Sequence, residues 1–148
     1  MSSDLRTYYL LSLLPPVVCA TAALAVRAGD LMPSIGAAQG HQIGAWLFLA
    51  TVALAVAAPV MLRTHFAHRV RALRQTPPRE FVRLQRRLIG LTLGAAYAVP
   101  VVCLVDLPPL YHAGVVLAAL YGVYYQYPSA RRIDFDRRIF RVADDADA

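Results

Sequence analysis

Four long apolar stretches with almost no charged residues constrain the fold of this 148-residue chain more than any other feature. They cover residues 8–26, 43–62, 88–107 and 111–127, and the only charge among them is Asp106 near the end of the third. A helix needs roughly 20 apolar residues to cross the hydrocarbon core of a bilayer. Apolar residues do not alternate with a period of two, which argues against a membrane β-barrel. The sequence therefore predicts an all-α integral membrane protein that forms a bundle of four transmembrane helices.

The distribution of charge predicts how this bundle is oriented. All 15 basic residues are arginines, and they outnumber the 9 acidic residues. An excess of this kind can indicate nucleic-acid binding, but 58% of the residues are hydrophobic, and in such a chain arginines more often mark cytoplasmic loops. The arginines lie at Arg6, within residues 63–87 and within 128–142, with only Arg27 elsewhere.

Because arginines next to a span resist translocation, we expect residues 1–148 to form one membrane domain with both termini in the cytoplasm. The compartment that we expect is the cytoplasmic (inner) membrane of a bacterium. Arginines at the headgroup level also attract anionic lipids, which we expect as partners at the cytoplasmic face. We expect no nucleic-acid partner.

Helical patterns continue beyond the second and third spans. Phe66 and Val70 lie four residues apart, so they share one helix face, with arginines around them. We expect residues 63–87 to form a basic cytoplasmic hairpin that extends the two spans, although two short helices lying flat on the headgroups would suit the same pattern. Residues 128–142 are predicted to form a basic amphipathic tail helix, and residues 143–148 an acidic, disordered end.

Similar segments that occur twice are typical of an internal repeat. The motif PVVC stands at residues 16–19 and again at 100–103, and residues 59–70 resemble residues 128–139. In the second pair, Pro59, Arg63, Phe66, Arg69 and Val70 align with Pro128, Arg132, Phe135, Arg138 and Ile139. Two tandem helical hairpins, parallel to each other, would explain both matches if the first loop holds one insertion. Chance is the alternative explanation, because Pro, Val and Arg are common in this chain.

Small residues at four-residue spacing predict where helices approach each other closely. Lipid supplies no hydrophobic drive between spans, so close packing over small side chains matters more than in water. The third and fourth spans each carry such a stripe, formed by Gly90, Gly94 and Ala98 and by Gly114, Ala118 and Gly122. We expect both stripes to face neighbouring helices, and the two stripes can face each other.

Few residues in the spans could carry chemistry. His41 and His112 lie near the outer ends of the second and fourth spans, where two histidines can be the axial ligands of a b-type haem. Histidines in such positions are more often polar residues at the membrane interface than haem ligands. Haem binding is therefore an alternative hypothesis, and no cofactor is expected. The cysteines, Cys19 and Cys103, lie within apolar runs and have no metal-ligand spacing. We expect neither a metal site nor an enzyme.

The sequence thus favours a non-catalytic accessory or assembly subunit of a larger membrane protein complex. It would contact other membrane protein subunits through the small-residue stripes and the basic cytoplasmic helices. The predicted docking residues are those of the repeated segment, namely Arg63, Phe66, Arg69, Val70, Arg132, Phe135, Arg138 and Ile139. The alternatives are a haem-binding electron-transfer subunit that uses His41 and His112, and a small homo-oligomeric channel or transporter.

Overall fold

The structure is a computed structural model that describes residues 2–29, 37–71, 75–105 and 107–143. All regular secondary structure within these ranges is helical, as the sequence predicts. In chain order the elements are α1 (Ser2–Ala28), α2 (Ala37–Val52), a π-helical turn (Ala53–Ala57), α3 (Ala58–Val70), α4 (Pro78–Ala96), α5 (Ala98–Leu104), α6 (Pro109–Tyr125) and α7 (Ala130–Ile139). Asp106, Arg74 and residues 144–148 of the predicted acidic end lie outside the described residues.

Three helical stretches are long and apolar enough to cross a membrane. They are Asp4–Ala28, Ala38–Val70 and Pro78–Leu104. Helices α2 and α3 therefore belong to one long helix, and α4 and α5 belong to another. Helix α6 has 17 residues and, at 1.5 Å per residue, is about 26 Å long, slightly less than the hydrocarbon core of a typical bilayer. The structure therefore supports a helical membrane protein with three long apolar helices.

Two prolines explain where the long helices become irregular. A proline cannot donate a backbone hydrogen bond, and its ring clashes with the carbonyl four residues earlier. For Pro59 that earlier residue is Ala55, which lies in the π-helical turn. For Pro100 it is Ala96, the last residue of α4, and Tyr97 next to it separates α4 from α5. The irregular turns thus relieve these clashes while each long helix continues.

The α4–α5 helix forms the centre of the bundle. Half of its apolar stretch is buried inside the protein, compared with 17% of the stretch in each of the other two long helices. Helix α4 contacts α1, α3, the π-helical turn and α6, while α5 packs mainly along α1. The outer surfaces of α1 and of the α2–α3 helix are consequently rich in exposed apolar side chains, as expected for helices that face lipid.

The start of α1, the end of α3, the start of α4, the end of α6 and α7 meet at one end of the bundle. We refer to it as the arginine-rich end, because every described arginine except Arg27 lies on these segments or within two residues of them. The guanidinium of Arg6 donates a 2.8 Å hydrogen bond to the Tyr127 hydroxyl, and the Tyr9 hydroxyl donates one of 2.7 Å to the Val123 carbonyl. These bonds fix the start of α1 beside the end of α6.

The larger hydrophobic core also lies at the arginine-rich end. It brings together side chains from α1, α3, α4, α7 and the residue that follows α7. The buried members are Leu5, Tyr9, Phe66, Val70, Phe81, Leu84, Leu88, Ile89, Leu93, Ile133 and Phe140. Since this core includes the end of α3 and the start of α4, both helices pack into the body of the protein rather than standing apart from it.

Candidate docking site at the tail helix

The local sequence explains why α7 begins where it does. Pro128 cannot continue the hydrogen-bond pattern of a preceding helix, and Ser129 after it is a favoured N-cap residue. The Ser129 hydroxyl accepts a 3.3 Å hydrogen bond from the backbone N–H of Arg132. Helix α7 therefore begins after a short break instead of extending α6.

Asp136 anchors α7 to two other helices. Its carboxylate accepts hydrogen bonds from Nη2 of Arg63 on α3, at 3.2 Å, and from Nε2 of Gln85 on α4, at 2.9 Å. Asp136 is only 3% exposed. A buried carboxylate is tolerated because a cation and an amide both satisfy it. The Asp136 carboxylate therefore holds α3, α4 and α7 in one arrangement.

Thr76, in the turn between α3 and α4, holds the chain that follows α7. Its hydroxyl donates a 2.6 Å hydrogen bond to the Phe140 carbonyl, and its backbone N–H donates one of 3.0 Å to the Arg141 carbonyl. The N–H of Ala143 donates a 3.1 Å hydrogen bond to the Thr76 carbonyl. Together with the Asp136 contacts, these bonds fix the second half of α7 and the residues that follow it.

The Phe140 ring completes the attachment of the tail. It packs edge-on against Phe66 at a centroid distance of 5.2 Å and lies 6.4 Å from Phe81. The buried face of α7 is thus formed by Ile133 and Asp136, followed by Phe140. The sequence alone did not identify Asp136, Gln85 and Thr76 as anchors. The signal for Asp136 was its position three residues after Ile133 and four before Phe140, on one helix face.

The opposite face of α7 borders an open groove of about 840 Å³, which we call the tail groove. Its lining comes from the end of α6, from the break after it and from α7, and consists of Tyr124, Tyr127, Ser129, Arg131, Arg132, Asp134, Phe135 and Arg138. Phe135 is 62% exposed, and Ile139 one turn later is 55% exposed. Large apolar side chains on a helix that is already fixed on its other face form a surface suited to a further partner.

Arg132 is held in place within the tail groove. Its guanidinium lies 4.5 Å from the centroid of the Tyr125 ring and donates a hydrogen bond to the Tyr125 carbonyl. The Tyr125 ring in turn stacks on Tyr121 at 5.7 Å. A stacked and hydrogen-bonded arginine loses little further entropy on binding, which favours recognition of a partner.

The predicted docking residues do not form one surface. Arg132, Phe135 and Arg138 line the tail groove, with Ile139 exposed beside them, and Arg69 is exposed on α3. Arg63, however, is engaged by Asp136, while Phe66 and Val70 are buried in the core. The assignment of Phe66 and Val70 to a docking surface is therefore corrected, because both stabilise the fold from inside.

The same difference removes support for the internal repeat. Phe66 and Val70 are buried, whereas their counterparts Phe135 and Ile139 are exposed. Pro59 lies within a helix that continues to Val70, but Pro128 lies in the break between α6 and α7. The aligned residues of the two segments thus occupy different structural environments.

The glycines of the two small-residue stripes also differ from each other. A Cβ atom on Gly114 would lie 2.8 Å from the Phe48 ring, and one on Gly122 would lie 2.7 Å from Cγ2 of Thr92. A Cβ on Gly44, a glycine that the sequence analysis did not select, would also lie 2.8 Å from the Tyr111 ring. In contrast, Cβ atoms on Gly90 and Gly94 would meet nothing within 4 Å. The stripe on α6 therefore packs against α2, α4 and the π-helical turn, while the glycines of α4 stay open.

The alanines of the stripes take intermediate positions. Ala98 packs against a second core cluster built around Val102, Leu107 and Val115, and Ala118 is half-buried on α6. The two stripes consequently do not pack face to face along their length, which corrects that part of the prediction.

His41 and His112, the two candidate haem ligands, lie at the end of the bundle opposite the arginine-rich end. The His41 ring packs edge-on against Tyr111, with the ring centroids 5.6 Å apart. His112 lies within electrostatic range of the Arg27 guanidinium. Across the described residues, no cluster of three or more His, Cys, Asp or Glu side chains is arranged to hold a metal ion. The haem alternative gains no support from this arrangement.

No protein-family model, no curated protein and no solved structure matches the chain. The features of the chain that bear on its function are therefore the geometry of the tail groove and the distribution of charge along the helices.

Proposed function

We propose that this protein is a non-catalytic accessory or assembly subunit that docks onto another membrane protein through the tail groove. The observation that carries the proposal is the contrast between the two faces of α7. One face is fixed to the body through Asp136, while the other displays Phe135 and Ile139 to solvent. A rigid, exposed apolar helix face forms a contact with little loss of conformational entropy.

The composition of the tail groove favours a protein partner. Protein interfaces are enriched in Tyr, Phe and Arg, and a few such side chains usually supply most of the binding energy. The groove combines Tyr124, Tyr127 and Phe135 with three arginines, and Asp134 adds a negative charge. Mixed charges at the rim of an aromatic surface select a complementary partner more readily than they select a uniformly anionic ligand.

The proposed setting is the cytoplasmic membrane of a bacterium, with α6 as a fourth transmembrane helix. A length of 17 residues lies at the lower limit for a span, and the tyrosines at the end of α6 suit the headgroup level. With the arginine-rich end in the cytoplasm, the tail groove opens to the cytoplasmic side of the membrane. The partner is then a membrane protein whose cytoplasmic surface lies next to the bilayer.

A comparison of native complexes tests the proposal. The tagged full-length protein is extracted from its own membranes in a mild detergent, and the mass of the particle is measured. We expect a stable hetero-complex. Replacing the exposed side chains in a Phe135→Ala/Ile139→Ala variant should shift most of the protein to the free form, since truncation of a central interface aromatic typically costs at least about 2 kcal/mol.

A matched control uses an exposed apolar residue at the other end of the bundle. Leu110 is 77% exposed, and Leu110→Ala should leave the complex intact. A hetero-complex that survives the loss of Phe135 and Ile139 would exclude the tail groove as the docking site. A particle that contains only copies of this chain would instead favour the homo-oligomeric channel or transporter.

A further inference from the structure

We propose that a groove along α4 is a binding site for one anionic phospholipid. The groove has a volume of about 510 Å³ and lies between α1 and α4 at the arginine-rich end. We call it the α4 groove, and its lining residues are Tyr8, Arg79, Val82, Arg83, Arg86, Arg87 and Gly90. The inference rests on the membrane orientation proposed above but is independent of the docking partner.

Charge complementarity identifies the headgroup as anionic. The α4 groove has four arginines in its lining, and no carboxylate lines it among the described residues. The neighbouring groove between α3 and α4 includes Glu80, and the tail groove includes Asp134. The α4 groove is thus the most purely cationic of the three, and arginines bind phosphate oxygens through several N–H donors at once.

The position of Tyr8 places the arginines at the level of the headgroups. Tyrosines are enriched at the membrane–water interface, where the ring is apolar and the hydroxyl is hydrated. The Arg86 guanidinium lies 5.8 Å from the centroid of the Tyr8 ring. This contact holds Arg86 beside Tyr8 in the lining of the groove, where a phosphate between the two helices would meet it.

The shape of the groove favours a lipid over a soluble phosphate. Residues 79, 83, 86, 90 and 94 follow one face of α4, so the arginines give way to glycines as the helix enters the predicted span. Cβ atoms on Gly90 and Gly94 would meet nothing within 4 Å. A cationic end that continues into an open apolar path matches an anionic phosphate with its acyl chain.

Lipid titrations of the purified full-length protein in a non-ionic detergent test the proposal. Native mass spectrometry measures the dissociation constants of phosphatidylglycerol and of phosphatidylcholine with the same acyl chains. We expect phosphatidylglycerol to bind more tightly, with one molecule retained first. Each arginine near an anionic headgroup contributes about fivefold in affinity, so Arg79→Gln/Arg86→Gln should weaken phosphatidylglycerol binding about 25-fold. These two arginines line only the α4 groove among the grooves described above.

A matched control is Arg131→Gln/Arg138→Gln, which removes the same charge from the tail groove. This variant should bind phosphatidylglycerol nearly as well as the unaltered protein. A third variant, Gly90→Leu, extends an apolar side chain into the path from a Cβ that would meet nothing within 4 Å, and it should weaken binding about fourfold for each methylene that it displaces.

Three results would overturn the proposal. They are equal affinity for the two lipids, equal losses in the two arginine variants, and displacement of phosphatidylglycerol by excess inorganic phosphate. If the protein fails to insert into membranes at all, the proposed orientation fails first. If it inserts but shows no preference between the lipids, only the lipid site is wrong.

Discussion

Asp134 and Asp136 lie two residues apart on the ten-residue helix α7, yet only Asp136 is buried. Successive helical residues point about 100° apart, so two residues of separation carry the side chains to nearly opposite faces. The sequence places Asp136 on the helix face of Ile133 and Phe140, but it does not show that this face is the buried one. That distinction depends on Arg63 and Gln85, which approach from helices distant in the sequence.

Replacing Asp136 by alanine should lower the free energy of unfolding by about 2–4 kcal/mol, because Arg63 and Gln85 would lose their buried acceptor. Unfolding of the purified protein in mixed detergent micelles, followed by circular dichroism, measures this change. Asp134→Ala, on the exposed face of the same helix, should change the free energy of unfolding by less than about 0.5 kcal/mol. Equal effects of the two variants would show that Asp136 is not an anchor.

For whole helices, the long apolar runs predicted where the helices lie in the chain. They did not predict which faces of the helices pack against each other. Residues 43–62 and 88–107 read as helices because nothing else can satisfy so many backbone groups in lipid. The buried face of α7 was harder to predict, because Phe135 and Ile139 form an apolar pair as regular as Ile133 and Phe140. Which pair is buried depends on Phe66 and Phe81, contacts that no local pattern encodes.

The packing of α6 against α4 and the π-helical turn predicts unequal effects of glycine substitutions. A Cβ on Gly122 would lie 2.7 Å from Cγ2 of Thr92 and 3.1 Å from Cβ of Ala55. Thr92 cannot rotate away without losing the 2.9 Å hydrogen bond that its hydroxyl donates to the Leu88 carbonyl. Gly122→Ala should therefore destabilise the protein by about 1–3 kcal/mol, as measured by unfolding in mixed micelles.

Gly94→Ala is the matched control for this substitution. Its Cβ would meet nothing within 4 Å, and alanine favours a helix over glycine by about 1 kcal/mol, so stability should stay equal or rise slightly. A Gly122→Ala protein as stable as the Gly94→Ala protein would contradict the close approach of α6 to α4.

For the molecule as a whole, helix contacts gather charges that are far apart in the sequence. Arg6, residues 63–87 and residues 128–142 are separate in the chain, but the bonds of Tyr9 to Val123 and of Arg63 to Asp136 bring their segments to one end. The opposite end, where His41 meets Tyr111, has Arg27 as its only arginine within the described part of the chain. From this asymmetry we propose that the arginine-rich end lies in the cytoplasm, because arginines next to a span resist translocation.

This asymmetry predicts which end of α6 an external reagent reaches. Labelling of the two ends therefore tests whether α6 crosses the membrane as a fourth span. In a Cys19→Ala/Cys103→Ala background, Leu110→Cys and Ala130→Cys place single exposed thiols just inside the start of α6 and just beyond its end. A membrane-impermeant maleimide should label Cys at 110 in intact cells and should reach Cys at 130 only after the membrane is opened. Labelling at 130 alone in intact cells would show that α6 crosses the bilayer in the reverse orientation, and labelling at both positions would place both of its ends on the outer side. Protection of both would mean that α6 does not cross the bilayer, since its two ends would then lie on the cytoplasmic side.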